Sequence, residues 1–185
     1  MFDQYPKNVR LKNGVECIIR PLASTDQDQL YRYFIRMPLE DRRYLRNNIT
    51  DRILIERWCR EIDYQKTLPL IAEQDGKIVA NATIHRETYG WGKHIGELRI
   101  TIDKEFRHQG LGPILNDELT ELARMMKLER ICARVVVTRD YVLKAAEQNG
   151  FKQIAVLKDY IKNVHDNSYE DVAILVKNLE PEKQL

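Results

Sequence analysis

The stretch that most constrains this chain is Arg107–Gly112, which reads Arg-His-Gln-Gly-Leu-Gly. It follows an alternating apolar run, Ile95–Ile102, and precedes an amphipathic run, Ile114–Lys127. A strand, a tight glycine turn and a helix together form a natural anion cradle. Glycine lets backbone amides approach a ligand closely. The first turn of the helix adds unpaired N–H groups and the positive end of its dipole. A phosphate or pyrophosphate is the expected guest. Two glycines at this place also serve plain turn geometry, so that reading stands beside the first. The spacing is neither Gly-x-Gly-x-x-Gly nor Gly-x-x-x-x-Gly-Lys-Ser/Thr, which argues against a dinucleotide fold and a nucleotide triphosphatase.

The chain of 185 residues has room for one domain with a real core. Residues 1–14 read as a lead-in, 15–179 as the domain and 180–185 as a polar tail. Apolar content of 43% and charged content of 31% fit a soluble globular protein. A net charge of +2 gives no reason to expect nucleic-acid or membrane binding. Cys17, Cys59 and Cys132 are scattered without metal-like spacing and read as reduced, buried or incidental thiols of a cytoplasmic protein. No metal site is expected. No apolar run approaches spanning length, and the first ten residues carry no apolar signal core.

Along the chain, residues 1–14 suggest an extended lead-in or a short first hairpin. Val15–Pro21 alternates as a strand should. Ser24, Thr25 and Asp26 are helix N-cap types before the helically spaced Leu30, Tyr31, Phe34 and Ile35. Leu54, Ile55, Trp58 and Ile62 form a second helical stripe. It lies within Met37–Thr67, a segment rich in both signs of charge that reads as a solvated face. Asp75-Gly76 between two apolar runs predicts a hairpin, with Ile78, Ala80, Ala82 and Ile84 on one face. Arg130–Thr138 is β-branched and nearly continuous, as a strand covered on both faces should be. Asp140–Asn149 reads as a helix ended by Gly150. A last hairpin is expected to turn at His165-Asp166-Asn167-Ser168.

Arg107-x-x-Gly110-x-Gly112 at the mouth of a helix resembles the acetyl-CoA pyrophosphate loop of the GNAT superfamily of N-acetyltransferases. Gly150-Phe151 and Ile19-Arg20-Pro21 resemble two further landmarks of that family. The resemblance implies an α/β fold, with a mixed central sheet of about six or seven strands that splays, flanked by helices. It implies acetyl-CoA as acyl donor and an amine as acceptor. The diphosphate would lie on the amides of His108, Gln109, Gly110, Leu111 and Gly112, with Arg107 adding charge. The pantetheine arm would pair with Ile100, Thr101 and Ile102. The Met37–Thr67 segment would wall the acceptor site, where Arg42, Arg43 and Arg46 could meet an acidic acceptor.

Glu97 is the candidate general base. By alternation it shares a face with Ile95, Arg99, Thr101 and Asp103. A carboxylate in mid-strand is costly to bury unless it is paired or useful. Pairing with Arg99 or another arginine is the structural alternative; relaying a proton from the acceptor ammonium is the functional one. Much of the family carries a tyrosine four residues before Gly-Phe to protonate the leaving thiolate. Here that position is Ala146. The helix before Gly150 is most similar to that of bacterial Pat-type protein lysine acetyltransferases, which carry a glutamate where Glu97 stands. Arg139 and Pro113 depart from that pattern. Tyr141 and Tyr160 are lesser candidates as proton donors, and His85, His94 and His108 as aids to proton removal or phosphate binding. Cys132 is a poor nucleophile, since burial would raise its pKa. Protein lysine is the favoured acceptor. A small amine, a protein N-terminus, or a non-catalytic acyl-CoA sensor are the rivals, and the chain is expected as a monomer or homodimer.

Overall fold

The computed structural model describes residues 1–163 and 167–179. Among them lie eight strands and five α-helices. The strands are β1 (Lys7–Arg10), β2 (Glu16–Pro21), β3 (Thr67–Gln74), β4 (Lys77–Arg86), β5 (Ile95–Ile102), β6 (Arg130–Val136), β7 (Lys152–Lys162) and β8 (Tyr169–Asn178). The helices are α1 (Gln27–Arg36), α2 (Leu39–Arg42), α3 (Arg52–Arg60), α4 (Leu111–Met125) and α5 (Asp140–Gln148). The strands form one mixed sheet in the order β1-β2-β3-β4-β5-β6-β8-β7. That is more strands than the six or seven expected. The polar lead-in forms β1, which pairs antiparallel with β2 from Lys7 opposite Ile19 to Arg10 opposite Glu16. The expected turn at 165–168 falls partly, and the tail at 180–185 wholly, outside the described residues.

Two compact units divide the chain: Met1–Ile84 with Arg99–Leu119, and His85–Leu98 with the chain from Thr120. In the first unit an apolar cluster of Leu30, Tyr33, Phe34, Met37, Ile55 and Cys59 packs with Ile71 and Ile78. The spacing of 30, 33, 34 and 37 is one helical stripe, which is why α1 turns this face inward. Asp51 caps α3 by accepting from the amides of Ile53 and Leu54. The β3–β4 turn has φ of 47° at Asp75 and 71° at Gly76. Left-handed values at both central residues are what a two-residue hairpin turn requires. Ile78, Ala80, Ala82 and Ile84 are all buried, as their alternation predicts, and Val79 is buried as well.

A buried ion group fastens the start of α1 to the sheet. Arg20 on β2 donates to both oxygens of Asp26, at 2.7 and 2.8 Å, and to Glu73 on β3 at 2.7 Å. Asp26 also accepts from the Ala23 amide at 2.7 Å. Burial acts to raise the Asp26 pKa, but the bonds from Arg20 and Ala23 outweigh it and hold the carboxyl below its ordinary value.

In the second unit, the parallel ladder of β5 with β6 runs from Ile95 opposite Arg130 to Glu97 opposite Cys132. The strands themselves are 8 and 7 residues long. A ladder shorter than its strands is what the expected splay demands. β6 continues antiparallel to β8, from Arg130 opposite Asn178 to Val136 opposite Val172. The α5 helix ends in a Schellman motif. Gly150 takes φ of 84°, its amide reaches the Glu147 carbonyl at 2.9 Å, and the Phe151 amide reaches Ala146 at 3.0 Å.

Asp26→Asn should lower stability at pH 7 by about 2 kcal/mol, since Arg20 loses its buried counter-charge but keeps Glu73. A depressed carboxylate stabilises the fold above its unfolded pKa, and that stabilisation disappears as pH falls through the lower folded value. Thermal melts of the two proteins should therefore differ at pH 7 and converge below about pH 4.

Candidate active site

The loop after β5 belongs to the first unit. Lys104–Phe106 make one short 3-10 turn, and residues 107–110 then turn into α4. His108 and Gly110 take φ of 61° and 90°. Left-handed residues interleaved in a short turn bend successive N–H groups inward, which makes a concave anion nest. At Gly110 this conformation would strain any other residue. The first turn of α4 closes with the Ile114 amide donating to the Gly110 carbonyl at 3.3 Å. Leu111 and Gly112 therefore carry first-turn amides, and Pro113 adds no unmet donor. A Cβ at Gly112 would stand 3.4 Å from the Ile102 methyl, so the helix start lies tight against the strand end.

Arg107 is anchored within the protein. Its Nε donates to the Ile102 carbonyl at 3.0 Å, and its Nη2 donates to Asp41 of α2 at 2.6 Å. Asp41 is buried and Arg107 largely so. The sequence places Arg107 beside the loop; the structure adds a counter-charge that spacing does not reveal, 66 residues away. Thr101 is likewise fixed. Its hydroxyl accepts from Tyr33 at 2.9 Å and donates to the Asn81 carbonyl at 3.2 Å. Burial pushes the Tyr33 phenol well above its ordinary value, so it stays protonated across the physiological range. Ile100 and Ile102 are half-buried, Gln109 is half-buried and His108 is exposed.

The N-terminal hairpin reaches this loop, a feature the sequence reading does not contain. The Lys12 amide donates to the Gln109 carbonyl at 3.0 Å. On the same hairpin's first strand and lead-in, Tyr5 and Lys7 both bind Glu118 of α4, at 2.8 and 2.7 Å. Of the arginines in the Met37–Thr67 segment, Arg42 donates to the Met37 carbonyl at 2.7 Å and so closes the end of α1. Arg43 stacks on Tyr44, 4.6 Å from the ring centre.

Glu97 belongs to the second unit, half-buried on β5 and opposite Cys132 of β6 in the parallel ladder. Cys132 is itself only half-buried, against the burial expected of it. The β6 strand carries exposed positions at Arg130 and Arg134, so its apolar run is not covered throughout. Tyr141 and Tyr160 are exposed. Cys17 and Cys59 are buried, and burial raises both thiols, Cys59 to about 11. An open cleft of about 240 Å³ in the second unit is lined by Arg86, Glu87, Lys93, His94, Lys127 and Glu129 among others. None of those side chains belongs to the strand-loop-helix cradle.

A mixed sheet with helices around it, and a glycine nest between a strand and a helix, define an α/β protein built to hold an anionic cofactor end. The acetyltransferase (GNAT) family model matches residues 30–151, and the chain belongs to that family. It is an N-acetyltransferase that uses acetyl-CoA as donor. Solved structures share the fold. The GNAT domain of S. lividans PAT aligns at 16% identity and TM-score 0.78, covering 95% of this chain and 98% of that one. A ribosomal-protein-alanine N-acetyltransferase from Brucella melitensis aligns at 20% identity and TM-score 0.74, covering 86% and 98%. The yncA protein of Salmonella typhimurium, with its cofactor acetyl-CoA, aligns at 14% identity and TM-score 0.76, covering 91% and 97%. Among the described residues, no helix is long and apolar enough to cross a membrane.

The residues present fit a CoA diphosphate. The nest has left-handed backbone at 108 and 110, no side chain at Gly110 or Gly112, and first-turn amides beyond. Gly110→Ala should weaken CoA binding about tenfold, equal to about 1.4 kcal/mol. Isothermal titration with CoA reads that loss, and a melting curve separates it from a general loss of fold of about 1 kcal/mol.

Proposed function

We propose that the chain transfers an acetyl group directly to the amine of a protein lysine, with Glu97 as general base. When bound, acetyl-CoA supplies an activated acyl thioester. The amides of His108–Gly112 hold its diphosphate, and the backbone of Ile100, Thr101 and Ile102 receives its pantetheine arm. Tyr33 and Asn81 lock the Thr101 side chain, which keeps that strand segment in one register.

The observation that carries the reading is the continuity of β5 with the nest: one strand bears Glu97 and runs directly into the glycine loop. A lysine acceptor arrives as an ammonium and must lose a proton before its nitrogen can attack. Glu97, half-buried in a strand, is a carboxylate able to accept that proton, directly or through water. Tyr33 is held protonated by burial and bonded to Thr101, so it is not the base. A protein N-terminal amine is the second reading, favoured by the likeness to the Brucella melitensis protein named above. The chain is proposed to act in the cytoplasm as a monomer or homodimer.

Glu97→Gln should cut kcat/KM by about a hundredfold while leaving the CoA dissociation constant unchanged. Turnover equal to the native enzyme across the pH range would remove Glu97 from the mechanism. Mass mapping of acetylated positions on denatured and native protein substrates, lysine side chain against α-amine, decides between the two acceptors.

A further inference from the structure

We infer that Lys12, on the turn of the N-terminal hairpin, is a further CoA-binding residue whose ammonium pairs with the diphosphate held on the Gly110 nest. This rests on the reading of the Arg107–Gly112 loop as the diphosphate cradle. The side chain of Lys12 lies flat across Gly110. Its Cγ, Cδ and Cε stand 3.5, 3.9 and 3.6 Å from where a Gly110 Cβ would be. The ammonium is one bond, ~1.5 Å, beyond Cε. The aliphatic stem thus covers the one position in the loop that must lack a side chain, and it delivers a positive charge to the rim of the nest.

This placement is fixed. The Leu11–Val15 turn closes through the Leu11 amide on the Val15 carbonyl at 2.8 Å and the Gly14 amide on Leu11 at 2.9 Å. The Lys12 amide bonds Gln109 within the nest at 3.0 Å. Tyr5 and Lys7 hold the other side of the hairpin on Glu118, two turns into α4. A residue tethered on both sides of a ligand loop presents its charge at little further entropic cost.

The charge is also available. Lys12 is exposed, and among the described residues its ammonium takes no hydrogen bond or ion pair. Arg107, the cation that the sequence places at this loop, instead has Asp41 as counter-charge and Ile102 as acceptor. Lys7, the other lysine on the hairpin, is bound to Glu118. Lys12 is therefore the hairpin lysine left to meet an anion. The rim is wet, so the pair is a screened, partly exposed one and its effect is moderate.

Lys12→Met keeps the stem over Gly110 and removes only the charge. Titration calorimetry should show CoA binding weakened about fivefold, with the same factor for dephospho-CoA, which retains the diphosphate. The melting temperature without ligand should match the native protein, and the salt dependence of binding should flatten. Lys12→Arg should restore most of the affinity. Equal affinity of Lys12→Met and native protein for CoA overturns the proposal and leaves the cradle standing. A loss seen with CoA but not with dephospho-CoA overturns the diphosphate assignment. Native protein that binds neither molecule overturns the cradle and Lys12 together.

Discussion

The guanidinium of Arg107 holds the glycine loop to the rest of its unit. It joins the last carbonyl of β5 to a buried carboxylate on α2 and leaves from the residue at which the turn begins. An arginine fits this task because its planar fork offers donors in two directions at once, one to a carbonyl and one to a carboxylate. Without it the Ile102 carbonyl and the Asp41 carboxylate would each lose a donor in a largely dry setting, where a lost polar contact is costly. The left-handed turn that follows is a strained shape, and such shapes persist only where surrounding contacts over-determine them. Arg107 supplies that restraint at one end; the Lys12 amide on Gln109 and the closed first turn of α4 supply it at the other.

This arrangement divides labour between the basic residues near the loop. A cation paired to a buried carboxylate contributes shape more than free charge, because much of its field is already cancelled. Arg107 is of that kind. Its position in the motif reads, on sequence alone, as charge for a phosphate; its contacts read as a clasp. Arg42 shows the same lesson on a smaller scale. It looks like one of a row of arginines awaiting an acid, yet it closes the end of α1 through the Met37 carbonyl. The row is thus not a uniform patch, and Arg43 spends its face on the Tyr44 ring.

What was legible in the sequence had local causes. The Asp75-Gly76 hairpin, the Gly150 stop and the helical stripe through Leu30 and Phe34 each follow from residues within a few positions of one another. The nest was legible too, since glycine spacing and a following helix are both local. What escaped depends on partners far along the chain. Asp41 meets Arg107 across 66 residues, Tyr5 meets Glu118 across 113, and Lys12 reaches Gln109 from the opposite end. No periodicity encodes such meetings, because the sheet order that creates them is a property of the whole chain. The first hairpin was legible only as one of two readings of residues 1–14, beside an extended lead-in. Its residues are polar and few, and β1 becomes a strand by pairing with β2 rather than through its own propensity.

The polar interior of the first unit also limits where proton chemistry can lie. Tyr33 donates to Thr101, and Thr101 donates onward to the Asn81 carbonyl, so this chain of bonds runs in one direction and ends on a group that takes no proton. A chain of that form orients a strand but carries no net proton, since its terminal acceptor has none to pass on. Burial reinforces this by keeping the phenol neutral far above working pH. Arg107, just past the end of β5, is bound to the Asp41 carboxylate. Glu97 is the carboxylate within β5 itself, and under the proposal above it is the group that takes the proton of the acceptor ammonium. On that proposal, the strand sets where the acyl group is presented, and Glu97 sets when the amine is free to take it.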